Sequence, residues 1–434
     1  MSDLYTQNPV PPSLWHTSCQ QRPLLAAQSG DLTADVVIIG AGIAGLSAAL
    51  EFSKKGIACV VLEAKQPGWG ASGRNGGMVI PGLKYDPNEL TKRYGSSADS
   101  LIDMVGGAAD FVFDLVRKYD IDCEARQEGW IQTAHNPSSL HVAENKVSQW
   151  QKWGANVRLL DKEEVQDRIG SNRYLGGWID YRGGVINPLK YTLGLLNRAR
   201  KLGAKVYGGN RALSITRENN SWCVKTENGY VVRANKVLIT TNGYTDDLWP
   251  NLKKTILPVN SFIIATEPLC ETLRKKVLPY GQACTDSRRL LVYFRYNDEG
   301  RFIFGGRGTI SEPYSTKQWA HIEKNMLDIF PQLKHAAIEY RWAGRVGVTK
   351  DALVHAHQPA PGVYALLGFN GRGIALATRM AVALAQSMIT GIKSVFPYPE
   401  TPIKPIPLHS WHKFYIGSGV AWFRLLDKLE QNHK

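Results

Sequence analysis

Residues 35–45, DVVIIGAGIAG, limit what this chain can become more than any other stretch. A short β-branched run of this kind predicts a strand buried on both faces, as in a parallel sheet. Gly40, Gly42 and Gly45 follow at once in GxGxxG spacing. IAGLSAALEFSKKG then has helical character and ends at Gly56, a natural C-cap. IACVVLE predicts a second buried strand closing on Glu63. Strand, turn, helix, strand and acid together predict a dinucleotide-binding βαβ unit, with the acid about twenty residues past the first glycine. Gly40 permits the tight turn, Gly42 lets a pyrophosphate approach the backbone, and Gly45 lets helix pack on strand. Ile43 and Ala44 open the helix, whose free N–H groups face the phosphates. Glu63 accepts from an adenosine ribose, and its charge disfavours a 2′-phosphate and hence NADP.

The totals set the frame around this unit. A chain of 434 residues exceeds one simple core and predicts two domains or one large interleaved pair. Its 44% hydrophobic and 21% charged residues are ordinary for a soluble globular protein. The net charge of +14 suits anionic partners, but Lys and Arg are scattered rather than gathered into a basic tail. Six cysteines without a CxxC pair argue against a zinc site, a dithiol centre or a disulfide framework. No HExxH or other metal motif appears, so no metal is expected. The N-terminus has no hydrophobic signal core, and no run of 18 apolar residues suggests a spanning helix. A cytoplasmic location follows.

After Glu63 the chain does not enter another crossover helix. It runs through AKQPGWGASGRNGG, a long loop of glycines and polar groups. Backbone with so few side chains can lie against a large flat group and donate N–H to it. Here a resemblance becomes plain. VVIIGAGIAGLSAALEFSKKG, LEA, GWGASGRNGG, KVLITTNGYT and LLGFNGRGIALA, in this order, resemble the D-amino-acid oxidase (DAO) family of FAD enzymes. The pattern is similar to its branch of bacterial γ-glutamylputrescine oxidase-like amine oxidoreductases. The resemblance runs from about residue 30 to 395.

The resemblance implies an α/β fold: a Rossmann-like FAD domain of the glutathione-reductase type, with an inserted antiparallel-sheet substrate domain. The FAD domain is expected to be discontinuous, over 30–110, 184–246 and 341–396. The substrate domain takes 111–183 and 247–340, and 397–434 form an extension. FAD contacts are expected at Gly40, Gly42, Ile43, Ala44, Gly45, Glu63 and Ala64 in the first unit. The loop adds Gly70, Ala71, Ser72, Gly73, Arg74, Asn75, Gly76, Gly77 and Met78. Ala212 is expected beside the adenine, and Thr241, Asn242 and Gly243 at a second turn. Gly368, Asn370, Gly371, Arg372, Gly373 and Ile374 form a third turn, at the pyrimidine end of the flavin. A helix N-terminus there stabilises the negative charge that reduction places on the ring.

The implied reaction is oxidation of a C–N bond in an amine or amino acid. A hydride passes to flavin N5 and the imine is hydrolysed. A substrate carboxylate would need an arginine clamp. Arg345 and Arg372 are the candidate catalytic residues, with Arg74 and Arg295 as further choices. His355 and His357 read as structural rather than as general bases, and Tyr293, Phe294 and Tyr296 as sheet packing or pocket lining. Relatives that bind flavin covalently carry a cysteine near residue 344. Gly344 stands there, so FAD is expected to be held non-covalently. The lysine that oxygen-using relatives place above the flavin falls near Ile303, which leaves O2 or a quinone as acceptor. Trp422, Phe423, Leu425, Leu426 and Leu429, with Arg424, Lys428 and Lys434 nearby, form a C-terminal apolar stripe. It either packs on protein or makes peripheral membrane contact at the inner face. Two other readings compete: a tRNA-modification oxidase, disfavoured because no RNA module appears, and a non-catalytic FAD-binding protein. An NAD-linked reductase is disfavoured by the single complete GxGxxG unit.

Overall fold

The computed structural model describes residues 13–19, 22–309, 313, 315–412, 414–417, 419 and 422. Two eight-stranded sheets organise the chain. The first has the order His355–Ala360, Val363–Leu367, Val231–Ile239, Leu32–Ile39, Cys59–Leu62 and Lys205–Tyr207. Its central pairings are parallel, with Val37 opposite Val237 and Val60. This is why DVVIIG and KVLITTNG are apolar throughout: helices or loops cover both faces. A hairpin of Ala212–Glu218 and Ser221–Thr226 joins Val231–Ile239 antiparallel, and Gly229 turns the chain between the last two strands with φ +85°.

The helices Ile43–Lys54, Pro188–Lys201, Ala108–Tyr119 and Gly373–Thr390 pack against one another over this sheet. Gly373–Thr390 has the length and mean hydropathy, 1.3, of a spanning segment, but two thirds of it is buried inside the fold. It is a core helix.

The second sheet has the order Ile338–Val348, Leu257–Pro268, Arg301–Arg307, Val292–Tyr296, Ala283–Asp286, Trp130–Ala134, Gly176–Asp180 and Val157–Leu160. Only the pairing of Ala283–Asp286 with Trp130–Ala134 is parallel. Its outer face carries an aromatic core of Phe262, Phe294, Phe302, Phe304, Phe330 and Trp319. A small ribbon, Met78–Val79 with Gly184–Val185, connects the layers.

Two expected domain boundaries fall elsewhere. Residues 341–348 belong to the second sheet, because Ile338–Val348 pairs with Leu257–Pro268 along its length. Residues 111–119 complete a helix that packs on Gly373–Thr390, beside the first sheet. The C-terminal stripe is beyond reach: Phe423, Leu425, Leu426, Leu429, Arg424, Lys428 and Lys434 lie outside the described residues.

Candidate active site

A cavity of about 920 Å³ runs from the first glycine turn to the inner face of the second sheet. It is at the upper end of ordinary ligand pockets, which span about 300–1,000 Å³. The first glycine turn forms one end of it. Gly40 has φ +104°, and a Cβ on Gly45 would sit 2.0 Å from the Gly40 carbonyl, so only glycine lets the helix approach the strand. Glu63 Oε2 accepts from Ala41 N at 2.8 Å and Oε1 from Lys65 N at 2.9 Å. Burial raises the Glu63 carboxyl above its usual pKa, and these two amides oppose the shift.

The glycine-rich loop is not loose. Ala71–Gly73 form a 3₁₀ turn. Ser72 Oγ accepts from Ile43 N at 3.0 Å, tying the loop to the helix start. Trp15 Nε1 donates to the Asn75 carbonyl at 2.8 Å and Trp342 Nε1 to the Arg74 carbonyl at 2.9 Å. Arg74, 4% exposed, donates to the carbonyl of Ala343 at 3.1 Å and to the Tyr244 hydroxyl at 2.5 Å, and lies over the Trp69 ring. Its guanidinium is committed to the protein. Arg295, 2% exposed, donates to the carbonyls of Gly76 at 2.7 Å and Ile186 at 2.8 Å. Burial lowers its pKa to about 9.

The second and third turns are joined by Asn242, whose Oδ1 accepts from Gly368 N at 2.9 Å. Asn242 and Asn370 both have positive φ, a conformation asparagine tolerates. Asn370 Oδ1 accepts from Thr349 N at 3.0 Å and its Nδ2 donates to the Leu353 carbonyl at 3.1 Å.

Of the expected contacts, Gly40, Gly42, Ile43, Ala44, Glu63, Ala64, Gly70, Ala71, Ser72, Arg74, Asn75, Gly76, Met78, Ala212, Thr241, Asn242, Asn370, Gly371, Arg372, Gly373 and Ile374 line the cavity. Gly45, Gly73, Gly77, Gly243 and Gly368 do not. They are glycines because of other neighbours. A Cβ on Gly73 would meet the Gly68 carbonyl at 2.1 Å, one on Gly77 the Ile186 carbonyl at 2.2 Å, one on Gly243 the Arg345 carbonyl at 3.1 Å, and one on Gly368 Thr349 Cγ2 at 2.3 Å.

The arginine candidates fare worse. Gly344, Val346 and Val348 line the cavity and Arg345, between them, does not. Alternation along the strand turns it away, and its guanidinium lies 5.1 Å from the Tyr244 ring. Arg372 does line the cavity, but Nη1 donates to the carbonyls of Pro81, Gly82 and Leu83 at 2.8, 3.2 and 2.8 Å. Through Nη1 it holds a loop. Ile303 is fully buried and does not line the cavity; Ile263 on the neighbouring strand does.

The far wall holds residues that the sequence reading passed over: Trp130, Gln132, Ser261, Thr285, Arg289 and Arg307, with Lys84 on the facing loop. Tyr293 joins them, its hydroxyl 2.8 Å from Ser261 Oγ, while Phe294 and Tyr296 face the aromatic core. Lys84 had a signal in its position, six residues past Met78 on the same loop. The others had none, because they meet only when the second sheet forms. Among the described residues no His or Cys lines the cavity, and no group of His, Cys, Asp and Glu could hold a metal ion.

A family model described as FAD dependent oxidoreductase (DAO) matches residues 35–387. This chain belongs to the DAO family of FAD-dependent oxidoreductases. The probable oxidoreductase OrdL of Haemophilus influenzae is 33% identical over 412 residues, covering 91% of this chain and 92% of that protein. The γ-glutamylputrescine oxidoreductase of Escherichia coli is 30% identical over 407 residues, covering 92% and 94%. The crystal structure of glycine oxidase from Bacillus cereus superposes with a TM-score of 0.68 at 21% identity, over 82% of this chain and 95% of that one, and so shares the fold.

The DAO cavity fits the cofactor on its own terms. Glu63 would serve as an acceptor for an adenosine ribose, and a Cβ on Gly42 would meet Ser72 Oγ at 2.7 Å, so the turn keeps bare backbone that a diphosphate could approach. The helix Gly373–Thr390 begins at the opposite end, with Gly371, Arg372 and Gly373 in the wall.

Proposed function

We propose that this protein oxidises a C–N bond of an amine or amino acid, with γ-glutamylated amines the first substrates to try. The observation that carries the reading is the cavity itself: a nucleotide end continuous with a substrate wall that has no His, Cys or metal set among the described residues. Such a wall can position and desolvate a substrate, and no His or Cys among its described residues offers a nucleophile. FAD supplies the redox chemistry when bound. The chain's residues orient the substrate amine and exclude water, and Tyr293 and Ser261 offer paired hydroxyls beside Gly76. The N-terminus of Gly373–Thr390 favours negative charge at its end of the cavity. The E. coli relative's name supports the γ-glutamyl reading. Anaerobic mixing with a panel of amines and amino acids, including γ-glutamylated amines, tests it. Bleaching of the flavin band by any member supports the reading, and no bleaching by the whole panel sinks it.

The acceptor in this proposal is O2 or a quinone. Trp411, Phe414 and Trp422, 66%, 73% and 57% exposed, favour a peripheral membrane contact through which a quinone is reached. Oxygen uptake compared with reduction of a soluble quinone analogue separates the two acceptors. Flotation with anionic vesicles reads the contact.

A further inference from the structure

The glycine-rich loop is held at both ends by the arm that precedes the first strand. At the start of the loop, Gln66 clasps Leu25. Its Oε1 accepts from Leu25 N at 2.9 Å, and its Nε2 donates to the Leu25 carbonyl at 3.1 Å. At the far end, the Trp15 indole donates to the Asn75 carbonyl. Trp15 is fully buried, meets Trp342 edge to face at 6.1 Å, and carries the Arg295 guanidinium 5.0 Å over its ring. The turn that presents it is itself fixed. Ser13 Oγ accepts from His16 N at 3.2 Å, and Asn187 Nδ2 donates to Ser18 Oγ at 3.1 Å, tying the turn to the start of Pro188–Lys201. Both anchors lie ahead of the family match at 35–387. No described residue of the arm lines the cavity, so it acts on the loop from behind.

The Trp15 bond sets the direction of one peptide. Among the described residues every peptide bond is trans, so the Asn75 carbonyl and the Gly76 N–H point opposite ways. Drawing that carbonyl back to Trp15 turns the N–H forward, and Gly76 is a residue of the cavity wall. The amides on either side are taken: Asn75 N donates to the Ala71 carbonyl at 3.0 Å and Gly77 N to Asn75 Oδ1 at 2.8 Å. The Gly76 amide has no partner among the described residues. Backbone donors in a folded interior are almost always paired, so this one is kept for a ligand. We infer that Trp15 and Leu25 anchor a strap across the back of the FAD loop, and that Trp15 is a positioning residue that keeps the Gly76 N–H turned to the cavity. A donor held there favours the negative charge that reduction brings to the ring. The inference needs FAD but no particular substrate, and so stands apart from the amine-oxidation reading.

Full-length protein tests this without a substrate. Trp15→Phe keeps an aromatic ring and removes the N–H. Its FAD dissociation constant, from titration of the apoprotein, should rise roughly fivefold to tenfold, the worth of one hydrogen bond. Its flavin midpoint potential should fall, by about 30 mV for a tenfold shift of a two-electron couple. Trp222→Phe is the control, because that buried indole donates to the Pro361 carbonyl at 3.1 Å and neither residue lines the cavity. It should lower the denaturant midpoint and leave both flavin readings at the wild-type values. Gln66→Leu cuts the other anchor, and should weaken FAD binding while the potential holds. A Trp15→Phe protein with wild-type FAD constant and potential overturns the inference, as does an equal shift of both in Trp222→Phe. A raised constant with an unmoved potential upholds the strap and overturns the positioning role. Should Trp15→Phe fail to fold, Gln66→Leu decides the strap: a raised FAD constant upholds it, and an unchanged one overturns it.

Discussion

Arg372 Nη1 lies 2.8 Å from the carbonyl of Leu83, and the next residue is Lys84. An arginine from the third glycine turn thus fixes a loop some 290 residues earlier in the chain. Replacing it with Met would leave the Pro81, Gly82 and Leu83 carbonyls without a charged donor. The expected loss is about 1–3 kcal/mol of stability. The substrate KM should rise, because the gripped loop leads directly to Lys84 in the cavity wall, with kcat less affected. Denaturant midpoints and steady-state kinetics measure the two effects, and an unchanged midpoint would show that the grip is idle.

Arg345→Ala should leave substrate KM within about twofold of wild type, because the side chain points away from the cavity. The change removes a stacking contact with Tyr244 worth about 0.5–1 kcal/mol. A tenfold rise in KM would restore Arg345 as a substrate clamp.

Two glycines should respond in opposite ways. Gly45→Ala drives a Cβ against backbone oxygen, and the purified protein should carry little FAD. Gly30→Ala meets nothing within 4 Å and lies outside the cavity, and FAD content should be near normal. The flavin-to-protein absorbance ratio reads both.

His357 gives a pH dependence with a definite sign. Its Nδ1 sits 2.7 Å from the Thr401 carbonyl, its Nε2 has no hydrogen-bond partner among the described residues, and burial lowers its pKa to about 4. The unfolded chain takes up a proton near pH 6.5 and the folded one does not until about 4. Its stabilising contribution is full above 6.5 and is lost as pH falls towards 4. The loss is at most about 3 kcal/mol, from 1.36 kcal/mol per pH unit. His357→Gln should flatten that part of a stability-versus-pH curve.

Acid precipitation should release the yellow colour into the supernatant. Gly344 holds the position where covalent relatives carry cysteine, and no Cys or His among the described residues lines the cavity. Colour retained in the pellet would refute non-covalent binding.

The parts of this site that the sequence made legible are local ones. Gly40, Gly42 and Glu63 act within one βαβ unit, and their spacing is their geometry. The glycines of the loop were legible as a group, but not one by one. Gly76 faces the cavity, while Gly77 is shaped by Ile186 and Arg295, more than a hundred residues away. The arginines were least legible. Sequence marks Arg74, Arg295, Arg345 and Arg372 as donors, but their acceptors are carbonyls and rings supplied by distant segments. Lys84 had a signal in its place on the glycine loop, and Arg307 had none, because its wall exists only once the second sheet forms. Strand alternation explains Arg345, but only after the register with Leu257–Pro268 is known.

The Arg295 contacts to Gly76 and Ile186 bear on how such proteins can be recombined. The arginine comes from the substrate-side sheet, yet it braces the cofactor-side loop. A chimera that imports another enzyme's sheet to change specificity will therefore also replace the brace. If the donor has no arginine there, the recipient's own FAD loop will be left unsupported. Crossover points chosen to respect the two sheets would still cut a shared joint, and grafts at this site should carry Arg295 with them.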